Sequence, residues 1–480
     1  MGNIAGLSPA AAAHLPSEPP RSRTKTKGED RPPSVRELRV RSPSDRSQSA
    51  RYPWRSLWRK ECARRWSETP LRSSKARKGP EVKPTRRDFI RIASWTGVAL
   101  FSPTFSLAST SQQITPLGYG PLQGADSNGL QLPTGFTSRI VAIASQRPSP
   151  SSSVEWHRSP DGGATFPHPD GGWIYVSNSE QSRGRGGVTA LRFAADGEVL
   201  DAYPILRGTS QNCGGGATPW GTWVSCEETG YGLSYECDPL KANLSASARP
   251  ALGRFKHEAI AVDTKTGYVY LTEDESNSLL YRFRPKRKGD LSEGVLEAAE
   301  ILDPDGRGEI TLQETRPLAW HAIPSPTARL GLPTRYQLWA PTRFNRGEGI
   351  ACAEDRCCFA TTGDQRVWSI DLPTQRIQIL YDARRSSEPD LNQPDNVSIA
   401  PNGNVFVAED GGNLEIVALS NSGRTAPILR LLGQPGTELT GPALSPNGRH
   451  FYFSSQRGPT TQGPHGITYE VTGPFLDVTN

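Results

Sequence analysis

Gly267-Tyr268-Val269-Tyr270-Leu271-Thr272-Glu273-Asp274 is the stretch on which the fold turns. A glycine opens a turn, a short β-branched and aromatic run follows, and acidic residues end it, which is the signature of a buried strand between turns. The same arrangement recurs upstream as Gly172-Trp173-Ile174-Tyr175-Val176, ending at Glu180, and as Gly221-Thr222-Trp223-Val224-Ser225-Cys226, ending at Glu227-Glu228. Downstream it recurs as Arg356-Cys357-Cys358-Phe359-Ala360, ending at Asp364, and as Gly403-Asn404-Val405-Phe406-Val407, ending at Glu409-Asp410. The last copy is Gly448-Arg449-His450-Phe451-Tyr452-Phe453, ending at Gln456. Successive starts are 49, 46, 89, 47 and 45 residues apart. The long gap holds one more candidate strand, Tyr336-Gln337-Leu338-Trp339-Ala340.

A period of 45–50 residues with room for four strands predicts an all-β β-propeller, of six or seven blades with six favoured. A β-sandwich does not account for the regular spacing. Equivalent positions on successive blades converge on a central channel, so an acidic stop repeated from blade to blade predicts a carboxylate cluster there. Such a cluster stays ionised only around a cation.

Composition agrees with this reading. Hydrophobic residues make up 35% of the 480, against 47 Gly and 42 Pro, a balance that suits a loop-rich β protein better than a helical one. There is no apolar run long enough to span a bilayer as a helix. Formal charge is +6 overall but uneven: residues 1–108 carry +14 and residues 109–480 carry −8. The basic character therefore belongs to the leader, and an acidic domain suits divalent cations and not nucleic acid.

Residues 1–84 are rich in Arg, Ser and Pro without apolar periodicity, and are expected to be a disordered basic extension. Thr85-Arg86-Arg87-Asp88-Phe89-Ile90-Arg91, the apolar stretch 93–107 and the small-residue site Ser106-Leu107-Ala108 have the order of a twin-arginine export signal over 85–108. Export by that route predicts a periplasmic or secreted protein, folded and metal-loaded before it meets the twin-arginine translocase. The propeller domain then occupies 109–480. Six of the seven cysteines lie in it and allow up to three disulfides of open connectivity. The vicinal Cys357 and Cys358 point to opposite faces of a strand and are poorly placed to bridge each other.

Asn212-Cys213-Gly214-Gly215-Gly216-Ala217-Thr218-Pro219-Trp220-Gly221-Thr222-Trp223, running on to Glu227-Glu228, resembles the signature of the PhoX-type alkaline phosphatases. So do Gly253-Arg254-Phe255-Lys256-His257-Glu258-Ala259, Arg346-Gly347-Glu348-Gly349, Pro394-Asp395-Asn396, Glu409-Asp410-Gly411 and Glu438-Leu439-Thr440-Gly441-Pro442, in family order over roughly 115–460. The resemblance implies a six-bladed propeller phosphatase holding iron (Fe³⁺) and calcium (Ca²⁺) in its channel. It further implies that Cys213 bridges two irons, that Glu258, Glu348 and Asp395 are metal ligands, and that Arg346 contacts phosphate. Glu228, Asp410 and Glu438 are placed near the metals, and Arg346, Cys213 and Glu348 are the residues expected to carry catalysis. The residue types support this independently, since carboxylates suit Ca²⁺, thiolate with carboxylate suits ferric iron, and a guanidinium fork matches phosphate. The expected reaction is phosphomonoester hydrolysis by attack of a metal-bound oxygen, in a monomer whose partners are small phosphate esters.

Structural alternatives exist for each residue: an inert core thiol for Cys213, a turn cap for Asp395, a structural ion pair for Arg346. His257 is read as an oriented neighbour and not a ligand, and Trp220 and Trp223 as core or channel lining. Departures from the family pattern are Asn178-Ser179-Glu180 where Asn-His-Glu is usual, three glycines after Cys213, and Leu444-Ser445-Pro446-Asn447-Gly448. Two other functions compete: a calcium-dependent propeller lactonase, which needs no cysteine ligand, and a propeller in which metals only staple the channel.

Overall fold

The computed structural model describes residues 117–478 apart from 243, 330 and 460–464. The expected basic extension and export signal lie outside the described residues. Among those described, strands dominate, and helix is confined to single 3₁₀ turns such as Pro250–Leu252 and Thr334–Tyr336. No described helix is long and apolar enough to cross a membrane.

The fold is an all-β, propeller-like array of antiparallel meanders. Pro160–Pro167, Trp173–Ser179, Gly186–Phe193 and Val199–Thr209 form one four-stranded sheet. Asn212–Ala217, Trp223–Glu227, Ser234–Cys237 and Ser247–Ala248 form the next. A nine-stranded sheet begins at His257–Val262 and finishes at Gly347–Ala353, with Arg316–Ala322 pairing to Gly294–Ile301 on one side and Arg376–Asp382 on the other. Pro394–Ile399 to Thr425–Leu431 form a sheet whose outer strand is the distant Leu130–Gln131. Leu439–Leu444, His450–Ser455 and Ile467–Thr472 are completed by Thr137–Ile143, so strands from the two ends of the described chain pair with each other.

Six strands, starting at Pro160, Asn212, His257, Gly347, Pro394 and Leu439, each stand at one end of their sheet or half-sheet. Each packs on the next and the last packs on the first, giving a closed circuit. The strands beside them, such as Trp173–Ser179 and Val405–Glu409, are buried along their whole length. They lie between neighbouring sheets, so both faces are covered, and they read as continuous apolar runs without alternation. Apolar layers fill each gap: Val176 and Phe166 meet Trp223, Val224 meets Ile260 and Leu271, Phe406 meets Phe451, and Tyr452 returns to Trp173 and Tyr175.

The expected strand at Tyr336–Ala340 does not form. Thr334–Tyr336 is a 3₁₀ turn and Trp339 is 93% exposed. The run has β-forming residues, but prolines at 333 and 341 remove ladder donors on either side of it. The long gap is filled instead by Tyr281–Pro285, Gly294–Ile301 and Arg316–Ala322. One disulfide is present among the described residues, Cys352–Cys357, leaving Cys213, Cys226, Cys237 and Cys358 free.

Candidate metal centre

Each strand of the circuit starts with the same local construction. A backbone N–H from the end of the adjacent strand binds the carbonyl of the residue that leads in. Glu180 donates to Ser159, Glu228 to Gln211, Asp274 to Lys256, Thr362 to Arg346, Asp410 to Gln393 and Gln456 to Glu438, all at 2.8–3.2 Å. Four of these lead-in residues, Ser159, Gln211, Arg346 and Gln393, adopt left-handed φ of 43–58°. Such conformations are costly for residues with a Cβ and gather at functional sites. Next comes a β-bulge in every strand, between Pro160 and Gly163, Asn212 and Gly215, His257 and Ile260, Gly347 and Ile350, Pro394 and Val397, and Thr440 and Ala443. A bulge inserts one residue and re-aims its side chain. The first residues of five bulges are Asp161, Cys213, Glu258, Glu348 and Asp395.

Three repeat positions thus supply the centre: the lead-in, the bulge and the stop. They bring together all the residues expected from sequence. Ligand atoms of Cys213, Glu228 and Glu258 lie within 4.8 Å of one another, as do those of Glu258, Glu348 and Asp395, and those of Asp161, Glu180 and Glu438. The Cys213 Sγ is 3.3 Å from Glu258 Oε1 and 3.6 Å from Asp161 Oδ2. Three cations border the acids. Lys256 Nζ contacts Glu228 at 2.6 Å and Asp274 at 2.9 Å, Arg346 contacts Asp274 at 2.9 Å and Glu348 at 3.0 Å, and Arg457 contacts Glu438 at 2.9 Å.

Nine carboxylates and a thiol against three cations cannot all ionise in a buried space. Burial first, and then the neighbouring acids, push Asp161, Glu258 and Glu348 well above the ordinary carboxylate range. Burial likewise raises Asp395 to about 7, with Asp410 adding to it, and Glu228 to about 7 despite Lys256. Glu438 and the Cys213 thiol move the same way. Cations placed among these groups would reverse the balance, and the donors suit them: oxygen alone in two groups, thiol with carboxylates in the third.

The stop position also sorts the acidic pairs. In the pairs Glu227-Glu228, Glu273-Asp274 and Glu409-Asp410 only the second acid serves the centre. Glu227 accepts from the backbone of Ser210 and Leu233, Glu409 from Asn392 and Glu415, and Glu273 from Leu279, Tyr281 Oη and Arg335. Neighbouring residues on a strand face opposite ways, so one acid braces the loop while the other reaches the channel. Asp364 is not at the stop position at all. Thr362 is, donating to the Pro394 carbonyl, while Asp364 pairs with Arg366.

His257 is no ligand among the described contacts. It is buried against Phe255 with Nε2 3.2 Å from the Gly253 carbonyl and Nδ1 3.4 Å from Ser234 Oγ, and burial lowers it to about 4. Trp223 is core, donating to Asn178 Oδ1 at 2.9 Å, and Asn178 in turn donates to the carbonyls of Cys213 at 2.8 Å and Gly214 at 2.5 Å. The side chain that replaces nothing in the usual Asn-His-Glu triplet is therefore the asparagine, which buttresses the cysteine bulge. Sequence reasoning passed over Asp161, Lys256 and Arg457. Asp161 had a signal: an acid followed by a small residue, Pro160-Asp161-Gly162, as in Pro394-Asp395-Asn396.

Below the acids the strands close on one another. A Cβ on Gly214 would meet the Glu258 carbonyl oxygen at 2.5 Å, and one on Gly349 would meet the Val397 nitrogen at 2.5 Å. Only glycine permits that approach. The space left along this neck is ≈ 30 Å³, bounded by Gly163, Gly215, Gly349, Asn396 and Gly441 among others. Beyond it lies a cavity of ≈ 370 Å³ of mixed lining, including Thr165, Thr218, Ile260, Ile350, Ser398 and Leu444.

The family model for Alkaline phosphatase PhoX matches residues 155–371. Among solved structures, the PhoX of Pseudomonas fluorescens in complex with vanadate, a transition state analogue, is similar with a TM-score of 0.62 at 16% identity, covering 76% of this chain and 100% of that one. A gluconolactonase from Xanthomonas campestris has a TM-score of 0.43 at 12% identity, covering 74% of this chain and 98% of that one. No curated protein matches the sequence. The family match spans the bulges at Cys213, Glu258 and Glu348 and the fold is shared with a solved PhoX, so over residues 155–371 the chain is similar to the alkaline phosphatase PhoX family, and the two findings together indicate a phosphatase.

Proposed function

We propose that the chain is an exported, metal-dependent phosphomonoesterase built as a six-bladed propeller, the nine-stranded sheet counting as two blades. The observation that carries this reading is the repeat of lead-in, bulge and stop around a closed circuit, which gathers acids, one thiol and three cations at one end of the channel. Cys213, Glu228 and Glu258 form the donor set suited to iron, and the two oxygen-only groups suit calcium. Metals bound there supply charge neutralisation and Lewis-acid polarisation of phosphate oxygens.

The chain's own residues supply the rest. Arg346 is held by Asp274 and Glu348 while 40% of its side chain stays exposed, so its fork is preset to take non-bridging phosphate oxygens. Lys256, fixed between Glu228 and Asp274, and Arg457, fixed on Glu438, add positive charge around the same mouth. Held in place before substrate arrives, these cations favour the more highly charged transition state without reorganising. The glycine neck closes the channel beneath, so the phosphate enters and leaves by the acidic end.

The twin-arginine motif supports periplasmic or secreted location, and the acidic net charge of 109–480 supports small esters over nucleic acid as partners. The test is elemental analysis of the exported protein together with phosphomonoester and lactone assays before and after chelation. Iron and calcium bound together, with chelator-sensitive phosphatase activity, are expected. Calcium without iron, with lactone hydrolysis in place of phosphatase activity, would overturn the reading.

A further inference from the structure

Asp303-Pro304-Asp305-Gly306-Arg307-Gly308-Glu309-Ile310-Thr311-Leu312-Gln313-Glu314 joins Gly294–Ile301 to Arg316–Ala322. Its spacing is that of a twelve-residue calcium loop, with acids at the first, third and twelfth positions and glycine at the sixth. The one departure is the fifth position, where an oxygen ligand is usual and Arg307 stands. Gly308, at the sixth, takes the left-handed φ of 81° that suits a sharp turn. Asp303 closes the first half of the loop, accepting from the backbone N–H of Arg307 at 3.0 Å and of Gly308 at 2.8 Å. Glu314 closes the second half, accepting from the Thr311 N–H and hydroxyl, both at 3.0 Å.

A cation sits among these groups, and it belongs to the chain. The Arg316 side chain, only 6% exposed, donates from Nε to Glu314 Oε1 at 2.8 Å. Its terminal nitrogens donate to the carbonyls of Gly308 at 2.6 Å and Glu309 at 3.4 Å, with Asp303 Oδ1 3.6 Å away. The carboxylates of positions one and twelve and the carbonyl of position seven are oxygens that a calcium ion takes in such a loop. Here they converge on one guanidinium. Position three is neutralised separately, since Asp305 pairs with Arg307 at 3.0 Å, and the Glu309 carboxylate goes to Arg366 at 2.8 Å. Arg307 and Arg316 thus bring two positive charges, as many as a divalent cation.

We propose that 303–314 is a cation site of calcium-loop design whose occupant is Arg316 of the same chain, so that the loop closes without a metal. Ile310 is buried in the core with Ile377 and Ile379, and the Gln313 N–H donates to the Ile379 carbonyl at 3.0 Å. The loop therefore clasps the seam where Arg316–Ala322 pairs with Arg376–Asp382, and that seam holds when the acidic centre is stripped of ions. None of these residues belongs to the acidic centre, so the outcome does not bear on the phosphatase reading. Trypsin cleavage after Arg307, scored by mass spectrometry against cleavage after the exposed Arg287 in the same sample, reads the loop directly. In the wild type this ratio is expected to be equal in EDTA and in calcium. Arg316→Met is expected to raise it about tenfold in EDTA, as the loop opens. Arg316→Lys, which keeps the charge and gives up the fork, is expected to fall between the two, so the reading does not depend on the first variant folding. Arg307→Asn combined with Arg316→Met completes the set of oxygen ligands, and is expected to bind one calcium ion more than the wild type in calorimetric titration. A wild-type ratio that falls when calcium is added would overturn the proposal, because an ion and not Arg316 would then hold the loop. So would Arg316 variants cleaved no faster than wild type in EDTA, or a double variant that gains no calcium.

Discussion

Stripping the metals should invert the pH dependence of stability, and the size of the effect follows from the acidic centre. In the metal-free protein burial raises Asp395 from 3.8 to about 7 and Glu228 from 4.5 to about 7. For a carboxyl raised in the folded state, stability is full below the unfolded value and is lost as pH climbs toward the folded one. Between pH 5 and 7 each group forfeits about 2 kcal/mol, so the pair costs about 4 kcal/mol. Asp161, Glu258, Glu348 and Glu438, raised further, act in the same direction. About 4 kcal/mol is a large part of a domain's stability and, for a domain of this length, corresponds to a fall in Tm of about 5 °C. Acids held low by partners do not interfere. Glu470 is brought to about 2 by His450, Arg139 and Tyr452 against its burial, and Asp382 to about 2 by Arg384 and Arg366 against its own, so their stabilisation is lost only below the window used. The assay is calorimetric Tm from pH 5 to 7.5 with EDTA and with iron and calcium restored. Tm should fall with pH in EDTA, and hold or rise with metals, which keep the carboxylates ionised. A chelated protein as stable at pH 7.5 as at pH 5 would refute the argument that these acids face one another without compensation.

Three further outcomes follow from the same geometry. Cys213→Ala should remove iron from the purified protein while leaving calcium bound by the oxygen-only groups, read by elemental analysis, and should reduce phosphatase activity at least a hundredfold. Asn178→Leu strands the Trp223 N–H and the carbonyls of Cys213 and Gly214. At about 1–3 kcal/mol for a buried group without a partner, it should lower the urea midpoint by the equivalent of about 3 kcal/mol or more. Gly349→Ala drives a methyl into the backbone of Asp395, Asn396 and Val397, so it should destabilise by about 1–3 kcal/mol and lower metal occupancy, whereas Gly230→Ala, with no atom within 4 Å, should do neither.

How much of this was visible in the chain depends on which strand carried the signal. The repeat was found through runs such as Trp173–Val176 and Val405–Val407, which are buried on both faces between sheets and therefore continuous in apolar residues. The strands that hold the centre are rich in Gly and acids and resemble loops on paper, so Asp161 went unseen although it sits on the same bulge position as Cys213 and Glu258. Family likeness recovered the other bulge residues because it compares motifs and not periodicity. Which acid of Glu227-Glu228 or Glu409-Asp410 turns inward is decided by strand phase, which periodicity did not show; the choice of Glu228 and Asp410 came from the family likeness. Tyr336–Ala340 misled for the opposite reason, since β-forming side chains there serve an exposed loop.

The pairing of Thr137–Ile143 with Ile467–Thr472 carries a consequence for how the centre comes into being. More than three hundred residues separate the partners, and the acids, from Asp161 to Glu438, all lie between them. A ribosome-bound chain emerging from its N-terminus cannot make that seam until its last strand is released, and contacts so distant in sequence form slowly. Until then the early meanders expose an unpartnered edge, and a metal arriving then meets scattered ligands in place of an enclosed set. On the metal-dependent reading proposed above, loading would follow synthesis, and loss of the final strand would abolish the centre without deleting any residue that builds it.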